Sequence, residues 1–410
     1  MTDTERLQRK TVWVLSSAQI MGGLGIGATV SVGALLAADV SGSDAWSGMA
    51  STMSTLGAAG LALPLARFAA GRGRRPSLAF GSVLAAASAI LLVYAAAIVS
   101  FPLLLVAFAL SGAGMATNLQ ARFAATDLAR PARRGRDLSL VVWSTTIGSV
   151  LGPNLIQPGQ VIGDALGMPS LTGPFVFTIA AQAVTVCIYF FGLRPDPLTV
   201  AREALGSAVR ERPRLGFATL RINPRARFAV GAVALSHATM VAVMSMTPVH
   251  LYGHGATLAI VGFTISLHIA GMFGFSPVFG WLADKLGRLP VLMGGQTLLA
   301  SALVVAWLAS ESHAMVGVSL VLLGLGWSAS TIAGSTMLVD SVPLGDRPGV
   351  QGVSDLMMNL TGAAGGAVAG PILTALGYPG LGLACLALVA GVVVWALLRA
   401  SAPADVLIEG

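Results

Sequence analysis

Long apolar runs alternate with short polar connections along the whole chain. Runs of about twenty residues recur at about 11–38, 46–69, 77–99, 101–122, 138–162 and 174–193. A second set follows at about 228–252, 257–283, 289–310, 314–338, 350–376 and 381–399. As helices, each is long enough to cross the roughly 30 Å hydrocarbon core of a bilayer. The pattern therefore predicts an all-α membrane protein with twelve transmembrane helices, arranged as six plus six. A polar stretch rich in Arg and Pro, Arg194 to Arg227, separates the two sets and reads as a solvated tether. The expected division is an N-terminal six-helix bundle over 1–193, a cytoplasmic linker over 194–227 and a C-terminal six-helix bundle over 228–410. The first apolar run follows ten polar residues and has no short hydrophobic core with a cleavage site, so it is expected to be a first spanning helix rather than a removable signal.

The two sets echo each other in short motifs. Gly280-Trp-Leu-Ala-Asp284-Lys285-Leu-Gly287-Arg288 lies between the eighth and ninth runs, and an eroded counterpart, Ala66-Arg67 to Gly73-Arg74-Arg75, lies between the second and third. Gly148-x-x-x-Gly152-Pro153 in the fifth run is matched by Gly366-x-x-x-Gly370-Pro371 in the eleventh. Small residues at this spacing let helices approach closely, and proline bends a helix by removing a backbone donor. Repetition at equivalent places implies two pseudo-symmetric bundles that rock about a shared site. The Gly280 to Arg288 segment resembles the signature loop of the major facilitator superfamily, and the resemblance covers essentially the whole chain. It implies that fold and alternating access, with helices 1, 4, 7 and 10 lining a central cavity. The first half departs from the signature in having Ala70 where an acidic residue usually stands.

Composition agrees with a membrane protein: 55% of residues are hydrophobic and 10% charged, with a mean hydropathy of +0.82. The formal charge of +7 would suggest nucleic acid in a soluble protein. Here every Lys and Arg falls on one side of the expected membrane, at the N-terminus, in alternate loops, in the central connection and near Arg399. By the positive-inside rule these segments are cytoplasmic, so both termini are expected in the cytoplasm of a bacterium, with the chain in its inner membrane and nucleic acid not a partner. Cys187 and Cys385 each sit alone inside a run, which argues against a disulfide framework or a thiolate metal site. No nucleotide-binding loop or hydrolase triad is present, and the Gly22-Gly23-x-Gly25-x-Gly27 run is a weak dinucleotide signal better read as helix packing. An enzyme is not expected, and transport must draw on a gradient rather than ATP.

Soft metal-binding side chains concentrate between His237 and Met272, where four of the five histidines lie. Two pairs share one spacing, Met240-x-x-x-Met244 in the seventh run and His268-x-x-x-Met272 in the eighth, each about halfway along its helix. Residues four apart share a helix face, and the two helices run antiparallel, so the pairs are expected at one depth. A methionine at helical spacing is often gap-filling core, whereas an intramembrane histidine must be neutral, paired or facing a cavity. Thioether and neutral imidazole without carboxylate or thiolate favour Cu(I). The four positions resemble the CcoA-like copper importers, which carry Met-x-x-x-Met in helix 7 and His-x-x-x-Met in helix 8. That resemblance implies import of copper, taken as Cu(I), as a transported substrate rather than a resident cofactor, in support of cytochrome oxidase assembly, with the lipid bilayer and a cytoplasmic copper acceptor as further partners. Met246, His250 and His254 near the outer surface, and His237 one turn inward of Met240, are secondary metal candidates.

Acidic residues inform by their scarcity, since none lies near the middle of the first six runs. Asp355 starts the eleventh run with Gln351 and Asn359 on the same face. It is expected to carry a coupling proton or to close an inner gate against a cation such as Arg122, and a shallow, hydrated position favours the gate. Asp284 and Arg288 of the signature loop join this gating set. The rival function is a proton-coupled exporter of drugs or small organic metabolites, suggested by the Gly-Pro motif of the fifth run. A copper receptor signalling through the linker is a third reading, weakened by the absence of an output domain.

Overall fold

A computed structural model describes residues 3–42, 46, 49–204, 216–256, 258–308 and 311–400. Its helices are α1 (Asp3–Ser41), α2 (Met49–Arg72), α3 (Arg74–Ala97), α4 (Phe101–Ala124), α5 (Arg134–Leu151), α6 (Ile156–Ala165), α7 (Phe175–Gly192) and α8 (Pro197–Ala204). They continue with α9 (Gly216–Ile222), α10 (Pro224–Gly253), α11 (Leu258–Phe273), α12 (Ser276–Leu286), α13 (Arg288–Leu308), α14 (His313–Ser341) and α15 (Arg347–Ala400). Helix is the form the apolar runs must take, because hydrocarbon offers backbone N–H and C=O groups no other partner. Among the described residues, nine helical segments are long and apolar enough to cross a membrane on their own.

Four runs differ in detail from the expected spans. The fifth is divided into α5 and α6 by a short 3-10 turn over Gly152–Leu155, where Pro153 has no N–H for the ladder. The eighth is divided into α11 and α12, with Gly274 and Phe275 between them and a proline in the first turn of α12. The eleventh and twelfth run together as α15, bent at Gly377, whose φ of 68° and ψ of −179° no side-chain-bearing residue adopts comfortably.

The chain divides into two compact units. Unit one is Met1–Ala129, Leu140–Pro213 and Arg347–Leu356; unit two is Arg130–Ser139, Arg214–Asp346 and Met357–Gly410. Each unit thus includes the opening turns of a helix whose remainder belongs to the other: α15 starts in unit one, and α5 starts in unit two.

Glycine sets the close packing inside each unit. In unit one, a side chain at Gly57 would run into the carbonyl of Ala109, and one at Gly112 into the backbone of Ala58 and Ser54, so α2 and α4 touch backbone to backbone. In unit two, α14 is the central helix and packs on α10, α11, α12 and α13. Gly295 and Gly326 join α13 to α14, and Gly271 and Gly324 join α11 to α14. Large apolar side chains such as Phe191, Phe263, Leu376 and Leu397 stay exposed, as expected where the surrounding solvent is lipid.

The expected tether is not wholly solvated. Its first part forms α8, which buries Pro197, Leu198 and Ala201, and Arg202 Nη1 donates to the Ala70 carbonyl at 2.7 Å. Asp196 accepts from its own Leu198 and Thr199 amides at 3.0 and 3.2 Å, and from the Arg75 amide of α3 at 2.7 Å. One carboxylate therefore satisfies orphan donors at the start of two helices. Residues 205–215 lie outside the described part of the chain.

Candidate functional site

The soft donors all lie in unit two. Met240 and Met272 are buried in one apolar cluster with Trp327 and Tyr378, and Met244 and Met246 pack against that cluster. α14 is what α10 and α11 have in common, since it packs on both. Its Gly324 is decisive for α11: a side chain there would press on the His268 carbonyl at 2.5 Å and the Met272 amide at 2.9 Å. With hydrogen alone at that position the helices close, and the His268 ring reaches the Leu320 carbonyl, 2.8 Å from Nδ1. A carbonyl only accepts, so Nδ1 carries the proton and Nε2 keeps its lone pair. His268 is fully buried, and its Nε2 has no hydrogen-bond partner. Leaving such an acceptor unsatisfied costs about 1–3 kcal/mol. A neutral imidazole oriented through Nδ1, with Nε2 bare, is the form a metal takes. Among the described residues, no three His, Cys, Asp or Glu side chains gather where they could hold a metal ion. The donor set of this region is thioether sulfur and one imidazole.

The secondary candidates engage protein groups. Trp327 Nε1 donates to His237 Nδ1 at 3.0 Å, so the acceptor nitrogen of His237 is in use and the ring is tied to α14. His250 is buried rather than at the surface. It stacks on Tyr378 at 4.3 Å with an interplanar angle of 8°, and lies 4.1 Å from the His254 ring. Tyr378 and Thr247 hydroxyls are hydrogen-bonded at 2.9 Å. His254 Nδ1 donates to the His250 carbonyl at 2.8 Å, and His313 Nε2 to the His254 carbonyl at 3.1 Å. These contacts pin the C-terminal end of α10 to the bend of α15.

The residues expected to gate fall into two groups of different character. In unit one, Arg122 Nη2 lies 2.7 Å from Asp355 Oδ1 with both side chains buried, and the guanidinium covers the Phe123 ring at 4.8 Å. Asp355 is completely buried, which corrects the expectation of a hydrated carboxylate: the opening turns of α15 are covered by the unit they join. Beside it, Arg74 donates to both oxygens of Asp127 at 2.8 and 3.1 Å and to Gln351 Oε1 at 2.6 Å. In unit two, Asp284 accepts from the Gly135 and Arg136 amides at the start of α5, at 3.0 and 2.8 Å. Arg288 bonds Asp284 at 2.5 Å and Asp340 at 3.0 Å, and Arg134 bonds Asp340 at 2.5 Å.

The two groups are versions of one design. Gly73-Arg74 and Gly287-Arg288 both place an arginine after a glycine of positive φ, 96° and 100°. Each arginine reaches an aspartate of the following half-repeat, Asp127 or Asp340. Where unit two uses Asp284 against a helix N-terminus, unit one has Ala70 and uses Gln351 and the buried Arg122–Asp355 pair. Arg74 and Gln351 are visible in the sequence only within their own motifs; their meeting with Asp127 escapes a sequence reading because nothing in local spacing links the three.

Residues 15–257 and 229–409 each match the family model described as Major Facilitator Superfamily. A relative in Bacillus subtilis (strain 168), the uncharacterized MFS-type transporter YdeG, is 41% identical over 385 residues, covering 92% of this chain and 89% of that protein. The riboflavin transporter RfnT of Brucella anthropi is 28% identical over 404 residues, covering 97% and 98%. Among solved structures, the proton:xylose symporter XylE superposes with a TM-score of 0.75 at 15% identity, covering 96% of this chain and 95% of that one.

Proposed function

This chain belongs to the Major Facilitator Superfamily and is a secondary transporter, and from that premise we propose that its cargo is copper, taken as Cu(I) and moved inward across a bacterial inner membrane. The observation that carries this reading is the bare, buried Nε2 of His268 in the region where Met240, Met244 and Met272 share one apolar cluster. A soft monovalent ion suits these donors, and neutral ligands suit transport. Thiolates would retain copper, whereas thioether and imidazole release it when the helices carrying them move apart. In this reading the basic connections face the cytoplasm, the Arg122–Asp355 pair and the Asp284 cluster are gating elements, each within its own unit, and a cytoplasmic acceptor takes the ion on toward oxidase assembly.

A second reading is a carrier of small organic solutes. It is favoured by the similarity to RfnT over nearly the full length of both chains. Direction of transport and coupling to protons belong to that reading as they did to the exporter considered from the sequence.

Uptake of radioactive copper under reducing conditions into proteoliposomes decides between them. The intact chain is expected to accumulate copper, and Met240→Leu with Met244→Leu to abolish accumulation while the protein stays folded. Leu replaces Met at similar volume, usually for less than about 1.5 kcal/mol. Normal accumulation by the folded double variant would falsify the copper reading.

A further inference from the structure

Three arginines of unit two, Arg225, Arg227 and Arg399, form no ion pair among the described residues. Arg225 and Arg227 open α10, and Arg399 closes α15. Packing brings these two helix ends together, and Gly231 is what permits it: a Cβ there would run into the Trp395 ring, so the indole of α15 rests on the bare backbone of α10. Trp395 meets Phe228 edge to face with ring centroids 5.4 Å apart. Arg399, one turn beyond Trp395, covers the Phe228 ring at 5.2 Å. It is thereby held beside its like, since the charges of Arg225 and Arg227 both bear on it.

Left to itself the trio is unfavourable. Like charges repel, and a cation in the first turn of a helix faces the positive end of its dipole. The helix start has no need of them either, because Asn223 Oδ1 already accepts from the Ala226 amide at 3.0 Å. Elsewhere in this unit the arginines are compensated, Arg288 by Asp284 and Asp340 and Arg134 by Asp340. A trio that the fold assembles and leaves without a counter-charge calls for an anion from outside the chain. The surrounding surface selects its kind: Val394, Leu397 and Leu398 are exposed on α15, and Phe217 and Ile222 are exposed on α9, which packs on α10. Apolar surface beside guanidinium groups suits acyl chains, which a soluble phosphate lacks. One phosphate would leave most of the trio uncompensated, whereas two phosphates on one molecule offset it.

We propose that the start of α10 and the end of α15 form a binding site for a two-phosphate lipid of the cardiolipin class. The guanidinium groups of Arg225, Arg227 and Arg399 take the phosphates through forked N–H bonds, and the acyl chains lie along Val394, Leu397 and Leu398. Bound lipid then clamps the last turn of α15 to the first turn of α10. None of these residues is a copper donor or an expected gate, so the site stands independently of the copper reading.

The test measures lipid retained by the detergent-purified full-length chain after exposure to phosphatidylcholine vesicles that contain either cardiolipin or phosphatidylglycerol at equal total charge. The intact chain should retain cardiolipin about tenfold better or more, because the second phosphate binds as a tethered group, and cardiolipin should raise its melting temperature. Arg225→Gln with Arg227→Gln should cut retention about tenfold or more, through loss of two charges beside an anionic headgroup, and remove the thermal shift. Arg6→Gln with Arg9→Gln takes two exposed arginines from unit one and should change neither reading. The proposal is overturned if phosphatidylglycerol is retained as well as cardiolipin, or if the two double variants behave alike. Inorganic pyrophosphate that binds as tightly as cardiolipin would make the anion a soluble one and overturn the lipid assignment. Retention that appears only after Asp405→Asn with Glu409→Gln would assign the trio to the chain's own tail, and would overturn it too. The comparison of lipids needs no variant, so poor folding of a variant leaves the test intact.

Discussion

Arg122 and Asp355 stand 233 residues apart in sequence and 2.7 Å apart in space, both buried. Removing one partner of a buried pair strands a charge and typically costs about 3–5 kcal/mol, whereas replacing both with apolar residues is often neutral. Arg122→Ala should therefore lower the melting temperature more than Arg122→Leu with Asp355→Leu. Asp355→Asn, which keeps the shape, should change the rate of transport while copper affinity stays within about twofold, since it alters the balance of states and touches no ligand. A large loss of affinity in a binding titration would place the carboxylate at the ion instead.

Gly324 tests whether His268 is held by packing. Gly324→Ala pushes a methyl toward the His268 carbonyl and the Met272 amide, separating α11 from α14 and disturbing the bond to Leu320. Affinity for copper should fall about tenfold or more although no donor has been removed, as small displacements of a positioned site do. Gly317→Ala on the same helix, where a Cβ meets nothing within 4 Å, is the control. Equal affinities for the two variants would show that the α11–α14 contact does not position the site.

The two donor pairs should behave as one unit. His268→Leu and Met272→Leu together should match the loss caused by Met240→Leu and Met244→Leu, and all four changes should add little more, because residues acting on one ion are not additive. Copper accumulation that declines in independent steps would argue for two separate sites.

Asp284 acts at the start of a helix, where a carboxylate contributes about 0.3–1 kcal/mol, up to about 2 when partly buried. Asp284→Asn should thus be milder in thermal stability than Arg122→Ala. Asp196→Ala loosens α8 and the start of α3 together, at about 0.5–2 kcal/mol for a lost helix cap. Trypsin cleavage after Arg202, within α8, should become faster in that variant, and an unchanged rate would mean that α8 holds without its cap.

The sequence disclosed much of this architecture, for identifiable reasons. Apolar runs of membrane length are a one-dimensional signal, so the helices stand close to where the pattern put them. The merging of the last two runs into α15 did not show, because the bend at Gly377 is a backbone angle rather than a break in hydrophobicity. The Met and His pairs were legible because four-residue spacing maps directly onto a helix face. The protonation of His268 was not, since it depends on a carbonyl 52 residues further on. The link among Arg74, Asp127 and Gln351 was hidden for the same reason: their hydrogen bonds join positions 53 and 277 residues apart. Asp355 looked shallow because its place in the helix was visible and its cover was not.

The borrowed opening turns of α15 bear on how the chain is made. During synthesis, residues up to Pro213 emerge and enter the bilayer before Arg347–Leu356 exist, leaving Arg122 without the carboxylate that neutralises it and Arg74 without Gln351. The nascent first half therefore carries a guanidinium that must remain near water or a chaperone until the eleventh run arrives. A truncated chain ending in the linker keeps that defect permanently. Cellular quality control can then recognise an incomplete transporter by an unneutralised charge, and the two halves expressed as separate genes should accumulate only when both are present.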